Sequence, residues 1–174
     1  MLLNVIGALF LVGGCGLVGY YCSMRAAYRT QDLREFKKAL LMLASEIEHM
    51  RTVLPAACAN IAKRVDEPVS KLFEHFSAQL SENEGESAYQ LWAQSLDAHK
   101  EPAYLAAEDW EEIDGFGKSL GYLDTKMQKN AILNTVSYID DKVSQLQTLA
   151  GKNRRMFRSL GFIGGLLAVA VLWQ

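Results

Sequence analysis

The chain has 174 residues, half of them hydrophobic and 10 % aromatic, with 18 Lys and Arg against 20 Asp and Glu and a formal net charge of −2; this composition excludes a disordered polymer and leaves room for one compact domain. All of those charged side chains fall between Arg25 and Arg158, so the near-zero mean hydropathy hides a charged middle between two apolar ends. Three Cys, two of them in the first apolar run, exclude a disulfide framework and a zinc ribbon, and a reducing compartment fits the charged part.

In chain order, Met1 to Cys22 contains a single strongly polar side chain, Asn4. Its 22 residues make a helix of about 33 Å, enough to cross a hydrocarbon core of about 30 Å. The first charge, Arg25, follows this run instead of preceding it, which argues against a cleaved secretory signal. Val12, Gly13, Gly14 and Cys15 imitate a lipoprotein box but have no basic start, and apolar residues continue past the Cys, so Cys15 and Cys22 are read as small membrane residues.

Leu33, Phe36, Leu40, Leu43, Ile47, Met50 and Leu54 then alternate in steps of three and four, which predicts one long helix with a narrow apolar stripe, ended or bent at Pro55. Pro55, Pro68, the polar run Ser81 to Ser87, Pro102, Gly115, Gly117 and Gly121 punctuate the centre into short helices. Val69, Leu72, Phe73, Phe76 and Leu80 recur at helical spacing, as do Leu105, Trp110, Ile113, Phe116 and Leu120 less regularly, and no stretch alternates with period two long enough for a strand. Ile132, Val136, Ile139, Val143, Leu146, Ala150, Asn153 and Phe157 form a second long stripe, with Asn153 a register device or a solvated exception. Ser23 to Leu54 and Asp124 to Arg158 would reach about 48 and 53 Å as helices. Equal reach and opposite chain direction predict that they pair antiparallel.

Ser159 to Trp173, about 22 Å as a helix, crosses a bilayer only if Arg158 snorkels and Trp173 sits at the far interface. Gly161, Gly165 and Ala168 give this run a surface on which another helix can approach closely. Arg25 and Arg29 follow the first apolar run, and Lys152, Arg154, Arg155 and Arg158 precede the second. Basic flanks stay cytoplasmic. The expected architecture is therefore an all-α, membrane-anchored bundle: a transmembrane helix over 1–22, a cytoplasmic domain of five or six helices over 23–158, a second transmembrane helix over 159–173, and both termini outside. Without the six flanking basic residues the domain retains 12 Lys and Arg against 20 acids, a balance that disfavours nucleic acid as a partner.

No catalytic set, metal cage, cofactor motif or small-molecule site emerges. Gly117, Lys118 and Ser119 imitate the end of a P-loop, but Glu112 stands where its first glycine belongs and no strand leads in. These residues read instead as a helix ending at Gly121, with Asp124 capping the next helix. Glu108, Asp109, Glu111, Glu112 and Asp114 form an acidic run whose members point in different directions on a helix. His49, His75 and His99 lie far apart in sequence, without a second His at i+4 or a neighbouring Cys. Cys58 has no base beside it and reads as a packing thiol.

Local motifs and the overall layout together resemble the stage III sporulation protein AB family. They are Leu33 and Arg34 leading to Ala39, Leu40, Leu43, Glu46 and Ile47; the run Phe116, Gly117, Lys118, Ser119, Leu120 and Gly121 followed by Asp124 and Gln128; and the close Met156, Phe157, Arg158, Ser159, Leu160 and Gly161. Two features depart from the family pattern: Thr52-Val53-Leu54-Pro55 stands where Thr-Pro-Leu is usual, and Leu123 where a small hydroxyl residue is common. The resemblance implies a non-enzymatic subunit in the mother cell membrane during endospore formation, part of a secretion-like channel to the forespore. It further implies a helical domain similar to the platform proteins of type II secretion and type IV pilus machines. Its partners would be the lipid bilayer, the stage III sporulation ATPase (protein AA) and the other channel subunits. Phe116 to Gly121, Asp124 and Gln128 would shape the membrane-distal corner or meet a partner. The competing readings are a membrane-anchored enzyme or sensor using the acidic run 108–114 and Cys58, and a generic adaptor unrelated to sporulation.

Overall fold

The computed structural model describes residues 2–50, 53–82, 85–101, 103–120 and 125–172, and among these the side chains of 21, 24–48, 53–82, 85–101, 103–120 and 126–151. The described residues form six α-helices and no strand: α1 (Leu2–Ser45), α2 (Leu54–Ala62), α3 (Val69–Glu82), α4 (Ala88–Ala98), α5 (Ala107–Gly117) and α6 (Thr125–Leu172), with a π-helical turn at Glu46–Met50 after α1. The first and last helices dominate, at 44 and 48 residues. They pack against each other, and α2 to α5 form a chain of neighbours that leads from α1 round to α6.

The α1–α6 pair runs antiparallel in a defined register. Lys37 Nζ lies 2.6 Å from Asp140 Oδ1, and Lys129 Nζ lies 2.6 Å from Glu48 Oε2. These contacts are eleven positions apart in both segments, Lys37 on α1 to Glu48 in the turn that follows it and Lys129 to Asp140 on α6, in opposite chain directions, as an antiparallel register requires. Beneath them the expected stripes are buried where the domain is thickest: Leu33, Phe36, Leu40 and Leu43 on α1, and Ile132, Val136 and Ile139 on α6. Toward the chain ends the second stripe surfaces, with Val143 and Leu146 half-buried and Ala150 exposed. Its continuation, Asn153 and Phe157, lies outside the described side chains, as does Met50.

Two boundaries differ from the expectation. The first stripe does not run to Leu54 in a single helix: α1 ends at Ser45, and Leu54 opens α2 with Pro55 in its first turn. Proline is tolerated there because a first-turn amide has no intrahelical partner to lose. Pro55 thus begins a helix instead of ending one, and its carbonyl accepts from Ser77 Oγ at 2.8 Å, tying α2 to α3. Secondly, α5 stops at Gly117, and Lys118 to Leu120 continue as a tight turn whose amides bond to Gly115, Phe116 and Gly117 carbonyls. Gly121 and Asp124, the expected stop and cap, lie outside the described residues.

The aromatic core gathers on Trp92 of α4. The rings of Phe73, Phe76 and Phe116 meet its indole edge-on at centroid distances of 5.7, 5.1 and 5.6 Å, the geometry that aromatic quadrupoles prefer. Its Nε1 donates to the Ile113 carbonyl at 3.1 Å. Phe36 and Trp110 form a second edge-on pair at 6.0 Å between α1 and α5. Among the described residues no helix is long and apolar enough to cross a membrane. Of the expected membrane segments, 1–22 and 159–173, residues 2–22 and 159–172 belong by backbone to α1 and α6, but their side chains lie outside the described set, apart from Tyr21.

Candidate functional site

Two groups of residues hold the bundle's ends. The first is the corner after α5. Phe116, Ser119 and Leu120 are buried, Ser119 Oγ donates to the Phe116 carbonyl at 2.7 Å, and Gln128 on α6 is half-buried. Gly117 is the position at which the sequence has no alternative: a Cβ there would stand 2.0 Å from Trp92 Cδ1, so the bare backbone is what admits the indole against α5. Lys118 points outward with its Nζ 5.9 Å above the Tyr89 ring. With Ser119 turned inward and Lys118 outward, the three residues that imitate a P-loop do not face a common space.

The second group clamps the opposite end of α5. Arg29 on α1 makes a two-pronged contact to Asp109, Nε to Oδ2 at 2.7 Å and Nη2 to Oδ1 at 2.9 Å, and reaches Glu108 Oε1 at 2.8 Å. Lys142 on α6 takes the other oxygen of Glu108 at 2.9 Å, and Tyr138 OH donates to Asp109 Oδ1 at 3.2 Å. Asp109 is fully buried and also accepts from the Ala106 amide at 2.9 Å, which caps α5. Hydrogen bonding to Asp109 above all pushes the Arg29 guanidinium pKa up, and burial first, then the two carboxylates, do the same to the Tyr138 phenol, so both keep their protons and act as donors. Beside the clamp, the Tyr28 and Tyr104 rings stack at 4.8 Å, and Asp32 accepts from the Tyr104 amide at 2.7 Å; burial outweighs that bond and raises the Asp32 pKa.

Of the basic residues flanking the first apolar run, Arg29 is drawn inward by a buried carboxylate 80 positions away in sequence. Arg25 is exposed, whereas Lys152, Arg154, Arg155 and Arg158, with Gly161, Gly165 and Ala168, lie outside the described side chains.

The acidic run is not one site. Glu108 and Asp109 belong to the clamp, Glu112 accepts from Thr135 at 3.3 Å, Asp114 accepts from Tyr89 at 3.1 Å, and Glu111 is exposed. Among the described residues no group of three or more His, Cys, Asp or Glu side chains is placed to hold a metal. Cys58 is fully buried in α2, and burial pushes its thiol up to about 12, so it is a thiol and not a thiolate at neutral pH. Iodoacetamide applied to the native protein, followed by peptide mass spectrometry, is expected to leave Cys58 unmodified and to label it only in denaturant; fast native labelling would contradict its burial. His49 lies outside the described side chains. His75 and His99, 24 positions apart, are neighbours in space, with ring centroids at 5.2 Å, a proximity no local spacing announces.

Relatives say more about these two groups of residues than their chemistry does. The pattern of the family described as stage III sporulation protein AB matches residues 4–173. The chain belongs to that family. Stage III sporulation protein AB of Bacillus subtilis (strain 168) is 32% identical over 171 residues, covering 98% of this chain and 99% of the relative. A solved structure of a stage III sporulation protein AB superposes with a TM-score of 0.67 at 30% identity, covering 71% of this chain and 97% of the other. The all-helical fold is thus that of the stage III sporulation protein AB family, and membership gives the chain a role in sporulation.

Proposed function

We propose that this member of the stage III sporulation protein AB family is a non-enzymatic platform in the mother cell membrane. Its bundle would couple the sporulation ATPase (protein AA) to a secretion-like channel between mother cell and forespore. The observation that carries the reading is the unslipped antiparallel pair α1–α6, anchored by Lys37–Asp140 and Lys129–Glu48, whose helices lead at the same end into the two apolar runs of the sequence. In this reading those runs span the membrane, the basic flanks keep the domain in the cytoplasm, and both termini lie outside. A stiff hairpin of this kind passes a displacement of the cytoplasmic domain to its membrane helices, and its work is mechanical or architectural. The clamp around Asp109 would brace the membrane-proximal end, and Phe116 to Leu120 the distal corner where a partner docks.

Crosslinking in intact membranes of sporulating cells, followed by capture of the tagged chain, is expected to recover the sporulation ATPase together with channel subunits. Recovery of channel subunits without the ATPase would remove the coupling role. Thiol labelling that finds the carboxyl end on the cytosolic side would remove the two-span arrangement.

A further inference from the structure

The surface of α1 carries a shallow groove of about 440 Å³ lined by Arg34, Lys37, Lys38, Leu41, Met42 and Ser45. Its rim holds three cations, of which Arg34 has no ion pair among the described residues. The groove lies on a stripe that has a counterpart on α6. Arg34, Leu41 and Glu48 follow one another at seven-residue steps along α1 and the turn that ends it, and Lys126, Leu133 and Asp140 do the same along α6. Seven residues are two helical turns, about 10.5 Å, so each trio stays on one side of its helix. Both trios read basic, apolar, acidic. All six side chains are exposed, with Leu41 at 42% and Leu133 at 43%.

Laid antiparallel, two such stripes complete each other: Arg34 meets Asp140, Leu41 meets Leu133 and Glu48 meets Lys126. A single chain does not use this register. Lys37–Asp140 and Lys129–Glu48 set its own helices three residues away from it, and both leucines are left uncovered. The Asp140 carboxylate remains 54% exposed beside Lys37, which gives it room for a second cation.

We propose that this face docks a second copy of the chain, α1 of each copy lying on α6 of the other. A two-fold axis along the hairpin makes every contact twice. Because α1 and α6 are antiparallel within one copy, two copies standing side by side in the same direction bring the stripes together in the antiparallel sense they require. That common direction rests on the reading above, in which both apolar runs of each copy cross one membrane. Packing α1 on α1 in that direction would set Arg34 on Arg34 and Glu48 on Glu48, so the charges select the crossed pairing. The leucines form its apolar centre, and the ionic rungs on either side fix its register.

The test uses the full-length protein in detergent. Sedimentation is expected to show a dimer, with a dissociation constant at least about tenfold higher in Arg34→Glu, which sets like charges together, and in Leu41→Glu. Adding Leu133→Lys to Leu41→Glu should restore association to within a few-fold of the parent, because each new acid then faces a new base across the interface. Circular dichroism identifies the variants that fold. Direction is read by disulfide formation, with Cys15 and Cys22 replaced by Ser and differently tagged chains carrying Leu41→Cys or Leu133→Cys produced together. Mild oxidation is expected to join position 41 of one copy to position 133 of the other, whereas copies pointing in opposite directions would join 41 to 41. A monomeric parent, parent-like association of a folded Arg34→Glu or Leu41→Glu, no rescue by a folded double variant, or a 41-to-41 disulfide as the main product would each overturn the pairing. Failure of the two-span reading shows separately, as labelling of the carboxyl end from the cytosolic side.

Discussion

Gly117→Ala is expected to destabilise the protein by about 3–5 kcal/mol, a large share of the roughly 5–15 kcal/mol that holds a domain together. The added Cβ would stand 2.0, 2.7 and 2.8 Å from Cδ1, Nε1 and Cγ of Trp92, so the indole or α5 must move. The indole is boxed by Phe73, Phe76 and Phe116, and overpacking of such a site costs about 1–3 kcal/mol. Moving it also breaks the buried bond from Nε1 to the Ile113 carbonyl, which adds about 1–3 kcal/mol for the polar atoms left bare. Urea titration followed by helical circular dichroism measures the loss. Trp92→Leu in the same background should recover part of it, so that the double variant is less damaged than the two single losses combined imply. A Gly117→Ala protein within about 1 kcal/mol of the parent would show that the close approach is not what keeps glycine there.

Arg29→Met is expected to cost about 3–5 kcal/mol, because it leaves the fully buried Asp109 carboxylate without its cation, whereas replacing both partners by apolar groups should return at least half of that. Comparing Arg29→Met with Arg29→Met/Asp109→Leu by the same titration checks the ordering, and a double variant less stable than the single would refute it. The remaining deficit reflects the lost cap on the Ala106 amide. Acid should loosen the clamp as well. Hydrogen bonds from Arg29 and then Lys142 hold the Glu108 carboxyl below its ordinary 4.5. A group depressed in the folded state contributes stability that is complete above that ordinary value and drains away as pH falls through the folded one. Glu108→Gln should accordingly flatten part of the acid limb of the stability curve.

The long stripes were legible because steps of three and four keep a side of a helix facing its neighbour over many turns, and Leu33 to Leu43 and Ile132 to Ile139 are buried as that pattern requires. Where the neighbours thin out the same pattern loses its meaning, and Ala150 lies in the open. The short α4 is harder to see. Its core residues Leu91, Trp92 and Leu96 follow a polar run, yet Ser87 and Gln90 form a reciprocal cap, Gln90 N to Ser87 Oγ at 3.3 Å and Ser87 N to Gln90 Oε1 at 2.9 Å, and Ser-x-x-Gln before an apolar pattern is a readable helix start. Nothing local marks Arg29 as the partner of Asp109 or His75 as the neighbour of His99. Those pairings come from tertiary geometry, and composition and periodicity carry no record of it. Gly117 is intermediate: its motif singles it out, and only the position of Trp92 gives the reason.

The matched spacing of Lys37–Asp140 and Lys129–Glu48 limits how α1 and α6 can move. Sliding either rod along its axis by a single turn, about 5.4 Å, would part both contacts together. Tilting or twisting the two as a unit strains neither. If the pair works as the proposed platform, rocking or turning would keep both contacts, and telescoping would lose them.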